Sequence, residues 1–352
     1  MPFPEIQLND GNTIPSIAYG SGSVNKGKDI HQFVEQAIET GFSHIDTAQY
    51  YANEQYVGRA IRESGLSRDE LYVTSKYGYG NLQDAFHTSL SSLGLKQLDL
   101  YLIHTPTVIV NDDYETVWRQ FEKFKDDGLT KSIGVSNFGV KDLEKLLKIA
   151  KVKPAVNQIR LHPYNHAENA ALLDFHVKQG IVTEAYGSLA PITQFPGGPV
   201  DAPLKKAAKS RGITPTQVIF LWVKAKGAVI VTTSSSKQHL EEYLAVGELD
   251  PLTEEEIAAI DKAGAQGPPS LTLTRFRTRL SKAELNNYDN PPEAQPKSRT
   301  RSHSSCLALT RSMHTFSRAH PCAFGVLVFS LFLMLFLAWG CLYMHFLLWV
   351  GK

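Results

Sequence analysis

Residues 41–58, GFSHIDTAQYYANEQYVG, are the stretch from which the rest of the chain can be placed. The stretch reads as a short strand over 43–46 that runs into a loop, followed by a helix opening near Asn53 and Glu54. Asp46 stands where the strand stops, and Tyr50 and Tyr51 lie just beyond it on the loop. An acid at a strand end with a tyrosine five residues on is, taken alone, an ordinary turn aspartate beside a packing ring. Its weight comes from two later strand ends, which carry Lys76 and His104.

Outward from there the pattern repeats. Residues 5–8 and 13–17 flank Asn9-Asp10-Gly11-Asn12, and Asp-Gly between apolar strands favours a hairpin turn because both central positions tolerate positive φ. Strands are then expected at 14–19, 43–46, 71–75, 98–103, 131–136, 155–159, 181–186 and 228–232. The helices that follow them are expected at 29–40, 53–64, 82–93, 114–127, 141–150 and 168–179, then 202–211 with 215–224, and last 237–246. A closing helix, 253–263, opens with a Thr-x-x-Glu capping box, Thr253 and Glu256. Strands alternating with helices imply a parallel sheet, and eight units at this length fit a closed (β/α)8 TIM barrel behind an N-terminal β-hairpin. The competitor is an open doubly wound sheet with a Gly-x-Gly-x-x-Gly turn after its first strand. The run Gly20-Ser21-Gly22-Ser23-Val24-Asn25 lacks the third glycine, so that reading is rejected.

The formal net charge is +1, which points to no nucleic-acid or strongly acidic partner. The three cysteines, Cys306, Cys322 and Cys341, fall after residue 300, which excludes a disulfide framework before it. MPFPEIQLNDG has neither the basic nor the apolar region of a secretory leader. Three segments are expected: a barrel over 1–266, a Pro/Ser/Arg-rich linker over 267–321, and a transmembrane helix over 322–350. The last run is almost purely apolar and exceeds the roughly 20 residues a spanning helix needs. Lys297, Arg299, Arg301, Arg311 and Arg318 precede it, which would keep the barrel on the cytoplasmic side, tail-anchored to an intracellular membrane. A coding extension without a role is the competing reading of this tail.

A barrel brings the C-terminal ends of its strands to one mouth, where function sits. The polar residues there are Ser21, Asp46 with Tyr51, Lys76, His104, Ser136 with Asn137, Gln158, Tyr186, and the run Thr232 to Ser236. Any one of them could be structural. Four proton-transfer groups at the ends of three consecutive strands are harder to set aside. A phenol titrates near 10 in water, and a buried ammonium beside it favours the phenolate. Lys76 can supply that charge, Asp46 can orient Lys76, and His104 can hydrogen-bond the same carbonyl or relay a proton. Such a set protonates a carbonyl as hydride arrives; no side chain donates hydride, so a nicotinamide must. This chemistry calls for no metal.

With those residues in place, the sequence resembles the aldo-keto reductase superfamily from residue 1 to about 263. GFSHIDTAQYYANEQYVG is similar to its aspartate-to-tyrosine signature and VTSK (73–76) to its lysine segment. LDLYLIHTP (98–106) is similar to its histidine strand, and IGVSNF (133–138) with AVNQIRLHPY (155–164) to its carboxamide-binding strands. The resemblance implies an NADPH-dependent carbonyl reductase, usually a monomer, with Tyr51 as proton donor and Asp46, Lys76 and His104 as its partners. It implies that Ser136, Asn137 and Gln158 hold the nicotinamide amide, that Tyr186 stacks on the ring, and that Ser21 and Gly22 are further cofactor contacts. Around the 2′-phosphate the family usually has a lysine where Thr233 stands and an arginine where His239 stands. Ser234, Ser235, Ser236 and Lys237 remain as candidate contacts, with Glu242 where the family often meets adenine, so NADH use is also expected. The TTSS-type run is similar to that of fungal members that reduce α-keto amides and ketopantoyl lactone. Where many members carry tryptophans, this chain has Gly78 and Thr105, with Tyr77 and Tyr79 beside the gap, which implies a wide pocket for an α-keto amide, α-keto lactone or diketone. The alternative function is a redox-sensing subunit resembling the potassium-channel β subunits, which share this fold and cofactor.

Overall fold

A computed structural model describes residues 3–269 of the chain. They belong to one compact unit, Met1–Lys282. β1 (Glu5–Gln7) and β2 (Thr13–Pro15) form the antiparallel hairpin, in the register Glu5↔Pro15 and Gln7↔Thr13. Eight parallel strands follow: β3 (Ile17–Gly20), β4 (His44–Asp46), β5 (Tyr72–Tyr77), β6 (Leu98–Ile103), β7 (Thr130–Ser136), β8 (Val156–Arg160), β9 (Val182–Tyr186) and β10 (Val229–Thr232). They close in the order β10-β3-β4-β5-β6-β7-β8-β9, with β10 also paired to β9. The helices are α1 (His31–Thr40), α2 (Glu54–Glu63), α3 (Leu82–Leu93), α4 (Tyr114–Asp126), α5 (Val140–Ile149), α6 (His166–Gln179), α7 (Ala190–Thr193), α8 (Asp201–Arg211), α9 (Pro215–Ala225), α10 (Lys237–Ala245) and α11 (Glu254–Gly264).

Strand alternation sorts the side chains into two cores. On β6, Leu100 and Leu102 point into the barrel, where they meet Ala155, Val156 and Val229. Tyr101 and Ile103 point outward into the shell between strands and helices. This two-sided burial is why such strands read as continuous apolar runs. Leu8 and Ile14 of the hairpin join the inner cluster. Asn9 Nδ2 donates to the Pro154 carbonyl, and Asn12 Nδ2 to the Lys131 carbonyl, so the hairpin closes the floor at the strand starts. In the shell, Phe86 stacks on Phe124 with centroids 4.1 Å apart, and Trp118 on Phe121 at 5.7 Å. α2 approaches the end of α3 through Gly58, where a Cβ would lie 2.5 Å from the Leu93 carbonyl oxygen.

The expected barrel and hairpin are therefore present, with local differences. The strand expected at 14–19 is broken at Ser16, where the chain leaves the hairpin for the barrel; Ser16 Oγ donates to the Pro4 carbonyl there. α1 starts at His31 rather than at 29, because Asp29 Oδ1 accepts the His31 N–H and ends the loop. The expected capping box of Thr253 and Glu256 is formed. Most of the expected linker, and the whole expected transmembrane helix over 322–350, lie outside the described residues. Among the described residues, no helix is long and apolar enough to cross a membrane.

Candidate active site

At the mouth, β4 ends on Asp46, β5 carries Lys76 on its inward face, and His104 follows the last residue of β6. A 3-10 turn, Gln49–Tyr51, presents Tyr51 above them and is released by Ala52 at φ 52°. Lys76 has no exposed surface. Its Nζ donates to Asp46 Oδ1 at 2.6 Å and to the Thr47 carbonyl at 2.9 Å. The same nitrogen lies 5.1 Å from the centre of the Tyr51 ring. Tyr51 meets His104 edge-to-face at 5.5 Å. A Cβ on Gly22 would sit 2.8 Å from Tyr51 Cζ, so the glycine makes the room the phenol ring occupies.

The electrostatics follow from burial. Burial alone would depress the Lys76 pKa, but the Asp46 carboxylate, and after it Tyr51, outweigh that and raise it. The ammonium therefore stays charged. His104 is pushed down to about 3 by burial first, then by the positive charges of Lys76 and Lys26. It is a neutral hydrogen-bonding group at physiological pH. A second buried carboxyl, Glu184 of β9, is raised to about 8 by burial, then by Asp46, against weaker lowering from Gln158 and Lys76.

Ser136, Asn137, Gln158 and Tyr186, expected to meet a nicotinamide, lie together on or just after β7, β8 and β9. Ser136 Oγ donates to the Gln158 carbonyl. Asn137 adopts φ 60°, a left-handed conformation that asparagine tolerates better than most residues. Its Nδ2 donates to the His104 carbonyl, and its Oδ1 accepts the Tyr186 hydroxyl at 2.8 Å, which holds the Tyr186 ring at the mouth. Gln158 Nε2 donates to Asp46 Oδ2 at 2.8 Å and to Glu184 Oε2 at 2.9 Å. Both amide hydrogens are committed, so only Oε1 remains to accept from a ligand.

Other expected site residues have different surroundings. Ser21 is fully buried, its hydroxyl bonded to Thr47 and Asn53. Tyr77 lies on the outward face of β5 in the shell core, and its hydroxyl donates to the Gly80 carbonyl at 2.7 Å. The Gly78 N–H donates to Gln49 Oε1, and the Thr105 hydroxyl pairs with that of Thr107. In the loop entering α10, Ser234 Oγ accepts the Ser236 N–H at 3.0 Å and approaches His239 Nδ1 at 3.4 Å. Thr233 is half-buried, Ser235 and Lys237 are exposed, and Glu242 is bonded to the hydroxyl of Thr214. Two further groups at the site were not expected from the sequence: Lys26, whose ammonium is 4.6 Å from the Tyr50 ring centre, and Glu184. The two-residue period of β9 carries a signal for Glu184, since it sits two residues before Tyr186 and on the same face.

The family model for the aldo/keto reductase family matches residues 16–265, the whole of the barrel just described. The chain belongs to the aldo/keto reductase family. It is an NAD(P)H-dependent oxidoreductase acting on carbonyl groups. An NAD/NADP-dependent indole-3-acetaldehyde reductase of Schizosaccharomyces pombe is 36% identical over 268 residues, covering 73% of this chain and 93% of that protein. A glyoxal reductase of Bacillus subtilis is 37% identical over 262 residues, covering 73% and 91%. The crystal structure of a Bombyx mori aldo-keto reductase in complex with NADP superposes with a TM-score of 0.67 at 33% identity, covering 74% of this chain and 92% of that one.

Proposed function

We propose that this reductase converts an aldehyde or ketone to an alcohol, with NADPH as hydride donor and Tyr51 as proton donor. The observation that carries this reading is the buried Lys76–Asp46 pair directly beneath the Tyr51 ring, with neutral His104 at its edge. The residues at the mouth fit the cofactor. Exposed Ser235 and Lys237 offer a hydroxyl and an ammonium donor to an anionic ribose phosphate. At the other end, Gln158 Oε1 can accept from a carboxamide N–H. Ser136, Asn137, Gln158 and Tyr186 would hold the nicotinamide, and the run 233–237 with His239 the phosphate. A bound NADPH supplies the hydride.

The chain's own residues then do the rest. Tyr51 and His104 hydrogen-bond the carbonyl oxygen and polarise it. Tyr51 gives its proton to that oxygen, and the Lys76 ammonium stabilises the phenolate left behind. Asp46 and the Thr47 carbonyl hold Lys76 in place. With Thr233 and His239 standing where the family usually has a lysine and an arginine, NADH is also used. The names of the relatives favour small aldehydes and dicarbonyls, and the absence of a side chain at Gly78 favours bulkier α-keto amides, lactones or diketones. We also propose that the apolar run 322–350 anchors the barrel to a membrane, on the strength of its composition and the basic residues before it. The reductase reading is tested by following NADPH and NADH oxidation with glyoxal, an aromatic aldehyde, an α-keto amide, an α-keto lactone and a diketone. Turnover supports it. Tight cofactor binding without turnover on any of them would favour a redox-sensing subunit instead.

A further inference from the structure

Glu184 has a place in the barrel that the mechanism above does not use. It is fully buried; its Oε2 accepts from Gln158 Nε2, and its Oε1 has no hydrogen-bond partner. Gln158 donates its other amide hydrogen to Asp46 Oδ2, and Asp46 Oδ1 accepts from Lys76. One amide thus bridges two carboxyl groups, and a single ammonium serves them both. We propose that Glu184 is a positioning residue for proton transfer from Tyr51: a buried carboxylic acid that acts through the Gln158 amide to keep Asp46 paired with Lys76. The proposal rests on the reductase reading.

The charges decide how it works. With Asp46 and Lys76 ionised and Glu184 carrying its proton, the trio is neutral. A second carboxylate in this buried interior would have no cation of its own among the described residues. From β4 the groups around it are Asp46 and His44, and burial keeps His44 uncharged, pushing it down to about 4. From β5 they are Lys76 and Tyr72, whose hydroxyl is buried with no hydrogen-bond partner. From β8 there is the neutral Gln158, and from β10 the apolar Val229 and Val231. Losing the Glu184 proton would make Oε2 the stronger acceptor and draw the Gln158 amide from Asp46. It would also add negative charge near the forming Tyr51 phenolate. Both effects oppose proton donation, so carbonyl reduction should fall as Glu184 ionises on the alkaline side.

The test uses the full chain. kcat/KM for carbonyl reduction is measured from about pH 6 to 10, in wild type and Glu184→Gln, which keeps the acceptor but not the titrating proton. The alkaline fall should move up by about one pH unit or more in the variant. In parallel, infrared spectra of wild type labelled with ¹³C-glutamate should show a protonated carboxyl band at neutral pH that disappears with the midpoint of the activity loss. The same band should be missing from Glu184→Gln. Superimposed alkaline limbs in the two proteins would overturn the proposal. So would the absence of a protonated glutamate band titrating with activity, which remains decisive if the variant does not fold. A wild type with no turnover at any pH would instead overturn the reductase reading, while the infrared band would still report on Glu184.

Discussion

Replacing Lys76 by Met removes the ammonium while keeping most of the volume, and its two consequences can be separated. The first is on stability. Lys76 and Asp46 are 0% and 2% exposed. Deleting one member of a buried ion pair strands the other, at a cost of about 3–5 kcal/mol. The second is on the chemistry. A unit charge 5.1 Å from the Tyr51 ring centre interacts with a phenolate by about 3 kcal/mol at an effective dielectric near 20. At 1.36 kcal/mol per decade, kcat should fall by roughly a hundredfold or more. Adding Asp46→Asn removes the stranded charge, so the double variant should regain most of the stability and none of the activity. Thermal unfolding and single-turnover NADPH oxidation are measured on all three proteins. A folded Lys76→Met that keeps kcat within tenfold of wild type would refute the electrostatic reasoning, as would recovery of kcat in the double variant.

His44 and His176 are each held down to about 4 by burial, against an ordinary 6.5. The unfolded chain therefore binds more protons below 6.5, and stability should be lost as pH falls from 6.5 towards 4, by up to about 3 kcal/mol for each group; Tm against pH checks this. Glu184 has the opposite sign. Its folded pKa is raised, so its contribution is present below 4.5 and lost as pH rises towards 8, and Glu184→Gln should flatten the decline in Tm across that range. Gly22→Ala puts a methyl 2.8 Å from Tyr51 Cζ, and should lower kcat by about tenfold or more through displacement of the ring, with the circular dichroism spectrum unchanged. Gly78→Trp fills the open side of the mouth, with its Cβ 3.2 Å from that of Tyr50, and should raise KM for bulky ketones by about tenfold while sparing glyoxal. Ending the chain at residue 290 should move the protein from the membrane pellet to the soluble fraction after cell lysis; equal partition of both forms would count against an anchor.

The barrel was legible because each strand-helix unit carries its own periodicity, and because Asp46, Lys76 and His104 all fall at strand ends, the part of a barrel where polar residues are least needed for packing. What the strand-end reading could not provide is the interior below the mouth. Glu184 lies two residues inside β9, where a charged residue reads as a break in an apolar run, not as a group reaching inward. Tyr77 shows the same two-residue period from the other side: once Lys76 points in, its neighbour must point out. The break at Ser16 depends on the hairpin meeting the floor, a long-range contact with no local signature. Nor could the depressed pKa of His104 be read locally, because it depends on burial together with Lys76, from β5, and Lys26, from the loop before α1.

The central claim is that Tyr51 delivers the proton. The most direct measurement compares wild type with Tyr51→Phe in single-turnover NADPH oxidation, in H₂O and D₂O, alongside NADPH Kd by fluorescence quenching. The account predicts a loss in kcat of about a hundredfold or more, a solvent isotope effect that disappears in the variant, and a Kd within about twofold of wild type. A Tyr51→Phe protein that reduces the same carbonyl at the wild-type rate, with the isotope effect intact, would contradict it.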